Sequence, residues 1–386
     1  LPAFNTEVSD IQSIADAQHH AKNWLFNHAA PLWGTRGVCS DGQFAERLTL
    51  SGEFVDIPRR MMVQARQIYS FITAGELGWE GPWKALVEKA MTVLLRRGLQ
   101  DGNLFVHQFD EAGEVVDPRL DLYDHAFGLF ALAHAGRALG RPEYFDIANK
   151  VMDRMDAEWR RPEGGFWEGQ ITPCPPYRQN PHMHMFEAAY ALYQATGDER
   201  WQRLKHDLLT LFQDKFQNAQ TGAVTEYFDI SWTALEDASG SIVEPGHCLE
   251  WAWLFEIAFG DLSGVPVATR LADFARSYGI CPERGVAINE VSLDGSIIDG
   301  NARLWPQTER LKAAVARYRR LKTQEEADEV VAAYRGLVPY FQTPCPGTWY
   351  DRWMADGSWM QQDAPASSFY HITCGLKELM SCTAGK

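Results

Sequence analysis

The feature that most constrains this chain of 386 residues is a recurrence. Apolar residues at helical spacing mark about twelve segments of roughly 15 to 20 residues, separated by turn-rich stretches. They fall near 6–29, 56–76, 81–99, 121–139, 142–157, 181–196, 198–216, 247–261, 264–279, 305–321, 323–341 and 366–381. The joints alternate in length. Short glycine-containing ones, Gly75-Glu76-Leu77-Gly78, Gly140-Arg141-Pro142, Gly197-Asp198 and Gly260-Asp261, fit antiparallel helical hairpins. The others are long, and strand-like runs stand in them: Val106–Phe109, Val224–Asp229, Val286–Val291 and Trp349–Trp353.

Six helix pairs with one long and one short joint each describe an all-α fold, an (α/α)6 barrel. One helix of each pair lines an inner ring, and the long loops bring short β-hairpins to one end, the expected active-site end. The chain 1–386 then reads as a single domain. Arg66, Tyr123, His184, His247, Glu309 and His371 lie on the six helices that follow long loops, at intervals of roughly 60 residues. Polar groups from six equivalent positions converge on one cavity. An open solenoid shares the helix pattern, but it does not require ionisable and aromatic residues at the same end of alternate helices.

Composition excludes several roles. Lys plus Arg number 36 and Asp plus Glu 51, so the net charge of −15 opposes nucleic acid and anionic membrane as partners. Seven cysteines, scattered and without a C-x-x-C, indicate neither a disulfide framework nor structural zinc and suit a reducing cytoplasm. The opening Leu1-Pro2-Ala3-Phe4 carries no basic segment followed by an apolar run. No stretch approaches the roughly 20 apolar residues of a membrane span. A homodimer is allowed by this composition, and oligomeric state stays open.

The ring residues carry the chemistry. In Gly246-His247-Cys248-Leu249-Glu250, the histidine and glutamate are three apart on a helix, so the carboxylate is expected to hold one ring nitrogen while the other meets a ligand. Arg66 stands in an otherwise apolar stretch and needs an anion, a carbonyl or a hydroxyl-rich ligand; a buried ion pair with Glu250 or Glu309 is the structural alternative. Asp121 suits a helix cap, and Tyr123 offers a hydroxyl to the cavity. Asn180 and His184, four apart, suit hydrogen bonding to a sugar-like ligand. His182, His184 and Glu187 invite a metal, but residues two apart on a helix point about 200° apart, so no metal is expected. Trp305 and Glu309 share a face, and His371 is the counterpart of His247 two inner helices on. Two histidines among aromatic and carboxylate groups suit reversible proton transfer near neutral pH. No nucleophile motif or phosphate-cradling glycine loop is present.

At these positions the chain resembles the N-acylglucosamine 2-epimerase family, over nearly its whole length. The resemblance rests on Gln64-Ala65-Arg66-Gln67, Asp121 to Phe127, Asn180-x-x-x-His184, Gly246-His247-x-x-Glu250, Trp305-Pro306-Gln307-x-Glu309 and Ser367 to His371. It implies an (α/α)6 barrel that interconverts sugars at C1 and C2 with no cofactor. By resemblance His247 and His371 are the acid/base pair, and Arg66, Tyr123, Asn180, His184, Glu250, Trp253, Trp305 and Glu309 line the monosaccharide site. Within the family, Arg303 to Arg310 and Trp349 to Trp353 look most like the mannose isomerase branch. That implies an aldose–ketose isomerase for an unmodified aldohexose such as D-mannose, working through a cis-enediol. A 2-epimerase of N-acylglucosamine or cellobiose type, or a sulfoquinovose isomerase using Arg178 or Arg352, stays open within the family. Outside it stand an inverting glycoside hydrolase using Glu250, Glu309 or Asp124, and a carbohydrate-binding protein without turnover.

Overall fold

The computed structural model describes residues 8–100, 104–259 and 264–382. Thirteen α-helical segments are present among them. They are α1 (Ile14–Trp24), α2 (Ala30–Trp33), α3 (Met61–Glu76), α4 (Trp83–Val93), α5 (Leu122–Leu139), α6 (Glu143–Glu158) and α7 (Asn180–Thr196). There follow α8 (Glu199–Leu211), α9 (Pro245–Phe259), α10 (Val265–Tyr278), α11 (Leu304–Leu321), α12 (Gln324–Leu337) and α13 (Ser367–Met380). A π-helical turn, Leu25–Ala29, joins α1 to α2 into one rod, so the expected first helix, 6–29, is displaced toward the C-terminus. Its start is set by Ser13, whose hydroxyl accepts the Asp16 amide while the Asp16 carboxylate accepts the Ser13 amide. Pro31 does not end the rod, because it stands in the first turn of α2, where a missing N–H is tolerated.

The segment expected from 56 begins only at Met61, since Arg59 and Arg60 are spent on strand pairing. The helix expected from 247 already starts at Pro245, and its far end with the Gly260-Asp261 joint lies outside the described residues, as does Leu1-Pro2-Ala3-Phe4. Gly140 and Gly197 end α5 and α7 in the left-handed conformation, as their joints require.

Helices α3, α5, α7, α9, α11 and α13 form the inner ring, each packed on the next, and α13 packs on α3 to close it. Inner helices are buried on nearly every side: α3 buries everything from Met61 to Ala74. Outer helices bury one stripe, as α8 does with Trp201, Leu204, Leu208 and Leu211. The first and last elements are joined by stacked aromatics. Trp24 lies on Phe341 at 3.9 Å, Trp33 on Trp349 at 4.8 Å, and Trp349 on Phe369 at 5.6 Å. Such contacts add about 0.5–1.5 kcal/mol each beyond their area burial. The Gln18 amide donates to the carbonyls of Leu379 and Cys382 across the same seam.

The strands do more than form hairpins within single loops. Arg59–Arg60 pairs with Gln108–Phe109, Tyr177–Arg178 with Tyr227–Phe228, Ile242–Val243 with Val291 and Ser292, Ala302–Arg303 with Arg352–Trp353, and Arg47–Leu48 with Ala364–Pro365. A bridge between Asp121 and Gly169 completes the circle. Each long loop is thus bonded to both neighbours, which makes the loop end a closed rim rather than six separate excursions.

A second ring ties that rim to the helices. Gln64 exchanges two hydrogen bonds with the Phe44 backbone, at 2.7 and 2.9 Å, and Gln307 does the same with Ala287, at 2.7 and 2.8 Å. In α5 and α7 a histidine takes this place. His125 Nε2 accepts the Phe105 amide and His182 Nε2 accepts the Phe166 amide, both at 3.0 Å. An accepting Nε2 leaves the proton on Nδ1, which in His125 donates to the Asp121 carbonyl. Burial holds both rings neutral, pushing His125 down to about 4 and His182 to about 3. Residues two positions away on the helices point the opposite way, into the lumen: Arg66, Tyr123, His184 and Glu309.

Candidate functional site

Within the rim lies a cavity of about 150 Å³ lined by Arg66, Tyr123, Asn180, His184, Glu244, His247, Glu250, Arg303, Trp305 and His371. Every inner helix contributes. Eight of the ten residues expected from the sequence meet here, and two do not line the space. Glu309 stands behind His371, and Trp253 lies deeper, under the Lys312 ammonium, which is 3.8 Å from its ring centre. Trp253 instead borders a cavity of about 530 Å³ at the far end of the barrel. The reason is helical geometry: Trp253 is nearly one turn below Glu250, beyond reach of the mouth.

The two histidines flank Trp305. Its ring lies 4.9 Å from His247 and 5.7 Å from His371. Gly246 lets the indole lie flat on α9, since a β-carbon there would stand 2.5 Å from the ring. His247 Nδ1 is 2.9 Å from Glu226, with Glu244 at 3.9 Å. Glu250 therefore does not hold this ring, contrary to the helical-spacing argument; its carboxylate faces Lys312 Nζ at 3.5 Å. Glu226 was missed because it comes from the strand-bearing loop before α9, a contact that no spacing within α9 encodes. Gln179 fixes Glu226 with a 2.9 Å hydrogen bond and itself accepts from the Trp251 indole. Burial opposes a charge on His247, but the Glu226 and Glu244 carboxylates outweigh it and push the ring up to about 10. Glu244, also absent from the sequence-based set, is raised to about 7, first by burial.

His371 has the opposite setting. Its Nδ1 is 2.8 Å from Glu309 Oε1, and the other oxygen of Glu309 bonds Lys312. Burial first, then Arg66, Lys312 and His184, hold His371 well below the ordinary histidine range. With Nδ1–H directed at Glu309, the free electron pair is on Nε2, toward the cavity. His184 is likewise neutral, held down to about 3 chiefly by burial, with Nδ1 3.1 Å from Glu187. Tyr370 donates to that carboxylate at 2.5 Å. Asn180 does not bond His184; its Oδ1 is buried without a partner among the described residues, open to a ligand hydroxyl.

Arg66 forms no ion pair with Glu250 or Glu309. Its Nη2 donates to the Tyr123 hydroxyl at 2.6 Å, Nη1 to the Ser367 carbonyl at 3.3 Å, and its plane lies over Phe127 at 4.2 Å. Its Nε has no partner among the described residues. A buried guanidinium with no carboxylate opposite is a site for developing negative charge. Arg303, another residue the sequence reading left out, is at the mouth 3.6 Å from Asp351. Asp121 occupies the helix-cap position of α5, but its side chain does not cap.

Three trios bring donor atoms within 4.8 Å: His184, Glu187 and Glu250; Glu226, Glu244 and His247; Glu250, Glu309 and His371. Each already has internal partners. Tyr370 bonds Glu187, His247 bonds Glu226, and Lys312 bridges Glu250 and Glu309, so an ion there would displace a hydrogen bond or an ammonium. Arg178, an expected anion contact, is paired with Glu168 at 2.7 Å.

A sequence profile described as N-acylglucosamine 2-epimerase (GlcNAc 2-epimerase) matches residues 42–375. A protein named mannose-6-phosphate isomerase, from Rhizobium meliloti (strain 1021), is 37% identical over 371 residues, covering 93% of this chain and 95% of its own. A cellobiose 2-epimerase from Bacteroides fragilis is 23% identical and covers 89% of this chain and 92% of its own. The crystal structure of a D-mannose isomerase superposes with a TM-score of 0.86 at 19% identity, covering 95% of this chain and 97% of that one, which establishes the fold.

Proposed function

The chain belongs to the N-acylglucosamine 2-epimerase family and is a sugar isomerase/epimerase, and from that premise we propose that it interconverts an unmodified aldohexose such as D-mannose with its ketose, D-fructose. The observation that carries this reading is the unequal histidine pair on either side of Trp305. His371 offers a neutral Nε2 as base. His247, bonded to Glu226 with Glu244 beside it, offers a proton donor.

Removal of the weakly acidic C2 proton from an open-chain aldose needs a ring-opening group, a base, and positive charge at O1 and O2. His184 and Asn180 face the sugar where ring opening requires proton exchange with an oxygen. His371 takes the C2 proton and returns it to C1 on the same face, through a cis-enediol. Arg66 stabilises the enediolate oxygens, and His247 donates a proton to O1 as the C2 proton leaves and recovers one from O2 as C1 is protonated, ending charged as it began. One base on one face supports isomerisation, whereas epimerisation needs a second base opposite. The carboxylates that a hydrolase would use are already engaged. Glu309 is bonded to His371 and Lys312, and Asp124 to His107 at 2.7 Å.

A second reading, a phosphorylated hexose, draws on Arg303 at the mouth and on the name of the Rhizobium relative. Incubation with D-mannose, D-mannose 6-phosphate and cellobiose, followed by carbon-13 NMR of the products, separates the readings. Fructose from mannose is the expected outcome. Glucose formed as fast as fructose overturns the single-base scheme, and turnover of the phosphate ester alone overturns the unmodified substrate. The same assay after exhaustive dialysis against EDTA should give full activity. A loss restored by a divalent ion would refute the cofactor-free reading.

A further inference from the structure

Lys312 is fully buried on α11, one turn below Glu309. Its ammonium forms an ion pair with one oxygen of Glu309, stands 3.5 Å from Glu250 of α9, and covers the Trp253 ring at 3.8 Å. The other oxygen of Glu309 meets His371 Nδ1. The three groups form a chain of ammonium, carboxylate and imidazole. Resting on the reading above, in which His371 is the base, we propose that Lys312 is a positioning residue that neutralises Glu309, so that this carboxylate orients His371 without drawing a second proton onto it.

The molecule contains its own control. His247 faces two carboxylates with no lysine between them, and it is the histidine that carries a charge. His371 is bonded to Glu309 and has Glu250 within 4.8 Å, but both of these carboxylates face the Lys312 ammonium, and the ring stays neutral. The other charged or titratable neighbours of His371 are Arg66 from α3, His184 from α7, Glu250 from α9, Arg303 from the loop before α11, and Tyr370 beside it on α13. Of the three cations Arg66, Arg303 and Lys312, only Lys312 touches the carboxylate that orients the ring. Burial opposes its charge, but Cys374 and the carboxylates of Glu309, Glu250 and Glu187 more than offset that and hold the ammonium above the ordinary lysine range. Burial and Glu250 push Glu309 well above the ordinary carboxylate range and Lys312 opposes them, so without the lysine the Glu309–His371 pair would take up a proton and lose the electron pair that catalysis needs.

The test compares Lys312→Met and Lys312→Arg with the parent in two measurements. One is an NMR titration of nitrogen-15-labelled histidine, with the His371 signal assigned from its loss in His371→Asn. The other is the pH dependence of kcat on mannose. In Lys312→Met the His371 midpoint should rise by about one to three pH units, the size expected from one charge at this range. The acid limb of kcat should move with it while KM changes little, and Lys312→Arg should restore both. If circular dichroism finds Lys312→Met unfolded, Lys312→Gln, which keeps a polar head but no charge, must give the same midpoint shift. An unmoved midpoint in the folded variant overturns the proposal. The titration needs no turnover, so a wrong substrate leaves it intact, and an unmoved midpoint leaves the reaction intact.

Discussion

His247 and His371 occupy matching places at the mouths of two inner helices and face the same indole, yet their surroundings charge one ring and keep the other neutral. Around His247 the protein gathers acid: Glu226 at 2.9 Å and Glu244 at 3.9 Å. Around His371 it places Glu309, bonded to the ring, and Glu250 within 4.8 Å, with Lys312 facing both. Both rings are buried, so desolvation acts against charge in each case, and the count of compensated carboxylates decides the outcome. A pair of identical side chains acquires different protonation through their partners, which is the asymmetry the proposed single-face reaction requires.

The sharpest way to break this comparison is to remove each ring in turn. His371→Asn should lower kcat on mannose by about 10² to 10⁴, the usual contribution of a general base, with the melting curve retained. Parental rates in this variant would remove the base from the scheme. His247→Asn should lose less, roughly tenfold to a hundredfold, because a charge-assisted hydrogen bond contributes about 1.5–3 kcal/mol. Equal losses in the two variants would mean equal roles.

Next comes the environment rather than the ring. His247, raised to about 10, stays charged across neutral pH, and His371, held low, stays neutral there. The rate should therefore be level through pH 7, fall in acid as His371 is protonated, and fall in base near 10 as His247 loses its proton. Glu226→Gln removes the nearest carboxylate from His247, so the alkaline limb should move down by about one pH unit or more. A limb that stays in place would show that Glu226 is not what keeps the ring charged.

The smallest effect is expected at a histidine outside the pair. Gln64 and Gln307 already perform the anchoring task of His182, so His182→Gln should leave the rate unchanged and cost about 1 kcal/mol of stability. In the parent His182 titrates near 3 when folded and near 6.5 when unfolded. The unfolded chain thus binds the extra proton first as pH falls. The stability tied to the neutral ring is complete above 6.5 and is lost on going down toward 3. Denaturant melts of His182→Gln between pH 7 and 4 should show a shallower acid loss than the parent, and an identical slope would remove His182 from the account.

Much of this architecture is written in local pattern. The 3.6-residue period and the alternating joints determine the helices and their hairpins, and the recurrence of polar positions determines which helices face the lumen. The twofold opposition of residues 182 and 184 on α7 is likewise a property of the helix alone: one ring anchors the rim and the other enters the cavity. What tertiary structure alone decided is partner choice. Glu250 lies three residues from His247 and bonds a lysine instead, while Glu226 reaches His247 from the preceding loop. Arg66, expected to meet Glu250 or Glu309, bonds a tyrosine and a carbonyl instead. Trp253 and Glu309 carry the right spacing but sit below or behind the sugar cavity. Periodicity specifies the face on which a side chain leaves its helix, because that depends on the backbone a few residues away. Which opposing group it meets depends on the angle and depth at which separate helices and the closed rim pack, and on the charge left uncompensated there, so the charges of the two histidines were settled only once the barrel had closed.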